Sequence, residues 1–200
     1  MQMKTGLFFG SFNPIHIGHL AIANYMKAFT DLDEVWFVVS PQNPLKQKDT
    51  LLAEHHRLAL VETAIGEQPG YRASNIEFKL PKPSYTINTL TYIQEKHPDR
   101  EFVLIMGSDN LATFHKWKNY EQILEQYELY IYPRKEAATG GLFNHPKVKI
   151  TEAPLMEISS TFLRDGIREK KDVAFFFPPQ VYEYIQEMHF YKSKTTLDRP

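Results

Sequence analysis

Four short, unbroken apolar runs decide what this chain can become: Leu7-Phe8-Phe9, Val35-Trp36-Phe37-Val38-Val39, Phe102-Val103-Leu104-Ile105-Met106 and Leu129-Tyr130-Ile131-Tyr132. Each is strand-sized and apolar at every position, the pattern of a strand covered on both faces. Between them the apolar residues follow helical spacing: Leu58, Val61 and Ile65 in a segment beginning near Leu52, then Ile87, Leu90 and Ile93 within 85–95, then Tyr120, Ile123, Leu124 and Tyr127. Further strands are predicted near Ile76-Glu77-Phe78 and at Val148-Lys149-Ile150, with further helices over 160–169 and 179–188. Strands alternating with helices predict an α/β fold. It is expected to be Rossmann-like and doubly wound, a mainly parallel sheet with helices on both faces, in a single domain. That domain is expected to span 1–190, followed by a polar tail, 191–200, and to carry a surface loop over 134–146.

Composition narrows the function classes. A chain of 200 residues, 42% hydrophobic and 24% charged, can bury a sizeable core without covalent staples. A net charge of -1 argues against general nucleic-acid or membrane-surface binding, so any basic patch is local and matched to a small anion. Without cysteine there is no disulfide framework, no thiolate nucleophile and no cysteine zinc site. No apolar run is long enough to span a bilayer, and the first residues do not read as a signal peptide. A cytoplasmic enzyme is expected, and nothing in the sequence distinguishes a monomer from an oligomer.

In a parallel sheet, ligands gather at the carboxyl ends of the strands. The chemistry-bearing residues of this chain stand there, after Phe9, Val39, Met106 and Tyr132. After the first run comes Gly10-Ser11-Phe12-Asn13-Pro14-Ile15-His16-Ile17-Gly18-His19. A turn followed by a helix start can offer backbone N–H groups and a partial positive charge to phosphate. His16 and His19, three apart, can face one anion, and Gly18 between them would admit a ligand close to the backbone. An ordinary strand-turn-helix connection also uses Gly, Asn and Pro. A His-x-x-His pair could hold a metal, but no neighbouring ligand completes a set.

Ile158-Ser159-Ser160-Thr161-Phe162-Leu163-Arg164 is the second signal. Ser and Thr cap a helix start, and an arginine one turn along could aim its guanidinium at phosphate oxygens there. Gly107-Ser108-Asp109 closes a buried strand, where a carboxylate can accept from ribose hydroxyls or simply cap a helix. Lys46 could reach phosphates from a flexible loop or be a solvated lysine like Lys48, and Arg57 reads as an exposed helix residue. Trp117 fits either a core anchor or a surface that stacks on a flat ring. Ser84-Tyr85-Thr86 reads as a helix start capped by Ser84, a place that also suits a carboxylate.

Gly10-x-Phe12-x-Pro14-x-His16-x-Gly18-His19 resembles the first signature of the nucleotidyltransferase α/β-phosphodiesterase superfamily, and Ile158 to Arg164 resembles its Ile-Ser-Ser-Thr-x-x-Arg motif. Within that superfamily the chain most closely resembles the bacterial nicotinate-nucleotide adenylyltransferases, from about Lys4 to the last helix. It departs at Phe9, where many relatives carry Gly, and at Asn13, where many carry Asp. The resemblance implies transfer of AMP from ATP to nicotinic acid mononucleotide, with Mg²⁺ carried by the ATP phosphates and no protein metal site. It implies catalytic roles for His16, His19, Lys46 and Arg164. ATP would meet Gly10, Ser11, Phe12, Gly18, Gly107, Asp109, Ile158, Ser159, Ser160 and Thr161. The nicotinate nucleotide would meet Ser84, Tyr85, Thr86 and Trp117. Three rivals share parts of this pattern: a sister adenylyl- or cytidylyltransferase, a class I aminoacyl-tRNA synthetase and a nucleotide sensor without turnover. The chain has no room for an anticodon-binding domain, and a sensor has no use for groups that stabilise a leaving pyrophosphate.

Overall fold

A computed structural model describes residues 2–41, 51–82, 84–135 and 141–193. The apolar runs become strands β1 (Met3–Gly10), β2 (Glu34–Val39), β4 (Arg100–Gly107) and β5 (Glu128–Tyr132), joined by β3 (Tyr71–Ser74) and β6 (Val148–Ile150). All pair in parallel in one sheet, ordered β3-β2-β1-β4-β5-β6. The chain winds outward from β1 to β3, then returns to place β4 against the other side of β1. The strand order therefore reverses between β1 and β4, the place where such sheets open a crevice at their carboxyl edge.

Runs that are apolar throughout are explained by two cores. Successive strand residues point to opposite faces. Phe8, Phe37, Val39, Ile105 and Tyr132 face one core, closed by α1 (Ile17–Phe29), α2 (Glu54–Ile65), α6 (Ser160–Arg168) and α7 (Pro179–Glu187). Leu7, Trp36, Val38, Leu104 and Ile131 face the other, closed by α3 (Thr86–Lys96), α4 (Ser108–Ala112) and α5 (Tyr120–Gln126). The doubly wound expectation holds on both faces. Among the described residues no helix is long and apolar enough to cross a membrane.

Two expectations are corrected. The third strand is Tyr71–Ser74, and Ile76–Lys79 is a 3-10 turn rather than a strand. Within Ile76-Glu77-Phe78 the charged residue is the buried member, at 2% exposure. The 191–200 segment is not all free tail. Tyr191 donates from its hydroxyl to Asn13 Oδ1 at 2.9 Å, and the Leu52 N–H donates to the same oxygen at 3.1 Å. Within the loop expected over 134–146, Gly141–Asn144 forms a 3-10 turn, and 136–140 lie outside the described residues.

Arg57 is a third correction, and it has architectural weight. It is fully buried rather than exposed. Its Nε donates to Leu52 O at 2.8 Å, its Nη1 to Ser11 O at 2.6 Å and Ser40 O at 2.7 Å, and its Nη2 to Pro41 O at 3.0 Å. Burial lowers its pKa, yet a guanidinium keeps its proton in proteins, so these are charge-assisted bonds to the segments leaving β1 and β2. An Arg57→Ala variant strands these carbonyls and should lose about 3–5 kcal/mol of stability, the cost of breaking a buried charged network. Arg57→Lys should recover only part of it, because a compact ammonium lacks the guanidinium's fork of donors. Urea midpoints of the three proteins check both expectations.

Candidate active site

The turn after β1 is shaped by a buried ring. Phe12 has φ +42, left-handed backbone that a bulky residue rarely adopts, and its side chain is 1% exposed. Its ring meets Phe37 edge-on at 5.6 Å and His19 at 5.1 Å. A Cβ on Gly10 would stand 2.7 Å from that ring, so position 10 has no room for one. Phe12 thus brings backbone, not its ring, to any ligand.

His16 and His19 stand together at the start of α1. Their rings lie against each other, centroids 3.8 Å apart and tilted by 31°. Gly18 makes room for this pair: a Cβ there would come within 3.0 Å of His16 Nδ1, so the gap expected for a ligand is taken by the ring. His16 is buried at 3% exposure, and burial first, then the nearby Arg134 charge, pushes its pKa down to about 4. It is therefore neutral near pH 7 and can offer a ring N–H but no positive charge.

The second motif docks on the first. Ser159 is the cap of α6, its Oγ accepting the Phe162 N–H at 3.2 Å. Ser160 Oγ donates to Pro14 O at 2.9 Å, and Arg164 Nη1 donates to Asn13 O at 2.8 Å while Nη2 reaches Thr161 Oγ1 at 3.2 Å. Ile158 packs beside Gly18. The start of a nine-residue helix and the turn after β1 so form one wall.

On the other side of the crevice the Asp109 carboxylate lies over Gly107, where a Cβ would stand 2.3 Å from Asp109 Oδ1. Asp109 itself is exposed, open to a hydroxyl-bearing ligand. Sequence reasoning missed its neighbour, Arg134. The Arg134 N–H donates to Ser108 Oγ at 2.9 Å, Nη1 donates to Met156 O at 2.8 Å, and the guanidinium lies over the Tyr132 ring at 5.2 Å. Arg134 follows β5 as Ser108 follows β4, so the rule that picked out Gly107 and Asp109 could have found it. Three buried nitrogens here, His16 Nδ1, Arg134 Nε and Arg164 Nε, have no hydrogen-bond partner among the described residues.

The third group lies at the start of α3. Ser84 does not cap this helix: Tyr85 occupies the cap position with no side-chain acceptor, while Ser84 Oγ turns to Glu77 at 3.4 Å. The first-turn N–H groups therefore lack a side-chain cap. Trp117 is half-buried on Phe114 at 5.0 Å, and Lys118 Nζ lies 4.6 Å from the Tyr85 ring centroid, so the tryptophan segment meets the Ser84–Thr86 segment. Lys46 lies outside the described residues. Among those described, no group of three or more His, Asp or Glu side chains could hold a metal ion.

This strand order, with a helix start and two arginines turned onto the turn after β1, defines a Rossmann-like nucleotidyltransferase, and residues 7–166 match the cytidylyltransferase-like family. The chain is 55% identical to a protein of Flavobacterium psychrophilum over 95% of its own length and 100% of that protein, and 50% identical to one of Bacteroides thetaiotaomicron over 93% and 92%. Both are named probable nicotinate-nucleotide adenylyltransferase, and the chain belongs to that family. Its fold is shared with Plasmodium falciparum nicotinic acid mononucleotide adenylyltransferase complexed with NaAD, at a TM-score of 0.78 and 20% identity over 94% of this chain and 97% of that one.

The buried His16 gives a pH signature. Its pKa in the folded chain lies below the ordinary 6.5, so its favourable contribution is complete above pH 6.5. As pH falls from 6.5 towards 4, the unfolded chain takes up a proton that the folded one refuses, and stability should drop by roughly 3 kcal/mol. Urea unfolding of the wild type and His16→Gln across that window should show a slope in the first that flattens in the second.

Proposed function

We propose that this chain transfers AMP from ATP to nicotinic acid mononucleotide, releasing pyrophosphate and forming deamido-NAD. A phosphate oxygen of the mononucleotide attacks the α-phosphorus of ATP. The bond from that phosphorus to the β-phosphate bridge oxygen breaks, and its electrons leave with pyrophosphate. The attacking oxygen is already anionic, so the reaction needs no protein nucleophile. It needs in-line placement and donors where charge accumulates. The carrying observation is the wall made by the turn after β1 and the start of α6, with the buried nitrogens of His16, Arg134 and Arg164 left over.

In this reading the backbone of Gly10, Ser11 and Phe12 and the helix start at Ser159, Ser160 and Thr161 cradle the triphosphate. His19, Arg164 and Lys46 supply donors and charge, and the neutral His16 supplies a ring donor. Gly107 and Asp109 take the ribose of ATP, with Arg134 between ribose and phosphates. Mg²⁺ arrives as part of the substrate, on the ATP phosphates. The uncapped start of α3 at Thr86 faces the nicotinate carboxylate, and Trp117 lies against the pyridine ring.

Pyrophosphate release from Mg²⁺-ATP, measured in parallel with nicotinic acid mononucleotide, nicotinamide mononucleotide and phosphopantetheine, tests this. Strong preference for the acid is expected; preference for phosphopantetheine, or no turnover at all, overturns the reading. A His19→Ala variant should keep its unfolding midpoint and lose about 100- to 1000-fold in kcat, the effect of removing one donor at the reacting charge. Arg134→Ala should lower kcat/KM for ATP on a similar scale, about 100-fold.

A further inference from the structure

One buried ionisable side chain takes no part in this mechanism. Glu77, in the 3-10 turn after β3, is 2% exposed. Its Oε1 accepts the Thr89 hydroxyl at 2.7 Å, its Oε2 accepts the Ser84 hydroxyl at 3.4 Å, and the Ser40 side chain also hydrogen-bonds to it. These hydroxyls belong to three different places: Thr89 to the body of α3, Ser84 to the segment entering α3, and Ser40 to the residue just after β2. Ser40 is itself fixed to the turn after β1, through its N–H to Gly10 O at 2.9 Å and its carbonyl to Arg57 at 2.7 Å.

A carboxylate there is a costly way to fill a core. Burial pushes its pKa up, and the hydroxyl bonds pull it back. An apolar residue of similar volume would serve stability at least as well. What the carboxylate adds is direction, since its two oxygens accept from several donors at once and so tie α3 and the segment entering it to the residue just after β2. From this geometry we infer that Glu77 is the positioning residue for the acceptor. Its carboxylate, bound by Ser40, Ser84 and Thr89, sets the start of α3 at a fixed place relative to the turn that cradles ATP. The inference rests on the reading that Ser84–Thr86 holds the mononucleotide. Glu77 touches neither substrate and acts through Ser84 and the first turn of α3.

The test separates acceptor placement from general support of the fold. For Glu77→Gln the KM for the acceptor should rise about tenfold, the scale of one lost charge-assisted hydrogen bond, because a carboxamide has a single accepting oxygen. The KM for ATP should stay within about twofold, since the α6 wall and Arg134 are untouched. Thr89→Val should move the acceptor KM in the same direction, and Thr89→Ser, which keeps the hydroxyl, should restore it. Should Glu77→Gln fold poorly, the Thr89 pair carries the test alone. Equal rises in both KM values, or a lowered melting temperature with both KM values unchanged, would make Glu77 a structural residue only and overturn the inference. The wild-type acceptor is established first, and the same comparison is run on whichever mononucleotide it prefers. A wrong acceptor then refutes the proposed function without hiding the Glu77 result.

Discussion

The carboxyl edge of the sheet in this molecule depends on one buried cation. Loops leaving a parallel sheet carry carbonyls that the strand ladder does not satisfy, and a buried one without a partner is costly. Arg57 answers several at once, joining Ser11 beyond β1, Ser40 and Pro41 beyond β2, and Leu52 ahead of its own helix. The turn that bears the histidines is therefore held from within the fold, by a fully buried side chain. A site that works by placement requires such a supporting shell.

The electrostatics of the crevice follow from the same packing. His16 is neutral because it is buried and because Arg134 stands near it, so it adds no positive charge to the wall. A guanidinium cannot give up its proton at working pH, whereas a histidine can. The neutral ring is left as a fixed hydrogen-bond donor or acceptor, its neighbour His19 limiting the space in which it can turn.

Much of this was legible beforehand, because it is local. Continuous apolar runs announce strands buried on both faces, and helical spacing at Ile87, Leu90 and Ile93 places α3 within one residue at each end. The two motifs are contiguous stretches, and the structure sets the second against the first. What escaped was non-local. Nothing near Arg57 in sequence shows that acceptors from positions 11, 40, 41 and 52 converge on it. The burial of Glu77 was hidden for the same reason: the hydroxyls that draw its carboxylate inward lie at positions 40, 84 and 89, outside the short stretch expected to be a strand. His16 showed its residue type but not its charge, which depends on burial and on a residue 118 positions away (134 minus 16). Arg134 alone was within reach, since it follows a strand end.

The hydrogen bond from Tyr191 to Asn13 spans 178 positions of the chain. During synthesis the turn after β1 emerges early and Leu52, the first donor to Asn13 Oδ1, soon after it, while the second, Tyr191, emerges only after α7. Everything between them can form strands and helices in order, but the last bond supporting that turn closes at the end. Contacts this distant in sequence are the slow ones in folding, because the intervening chain must be ordered before they repay its entropy. Catalytic competence in this fold thus belongs to the finished chain rather than to its amino-terminal half, even though that half carries both histidines.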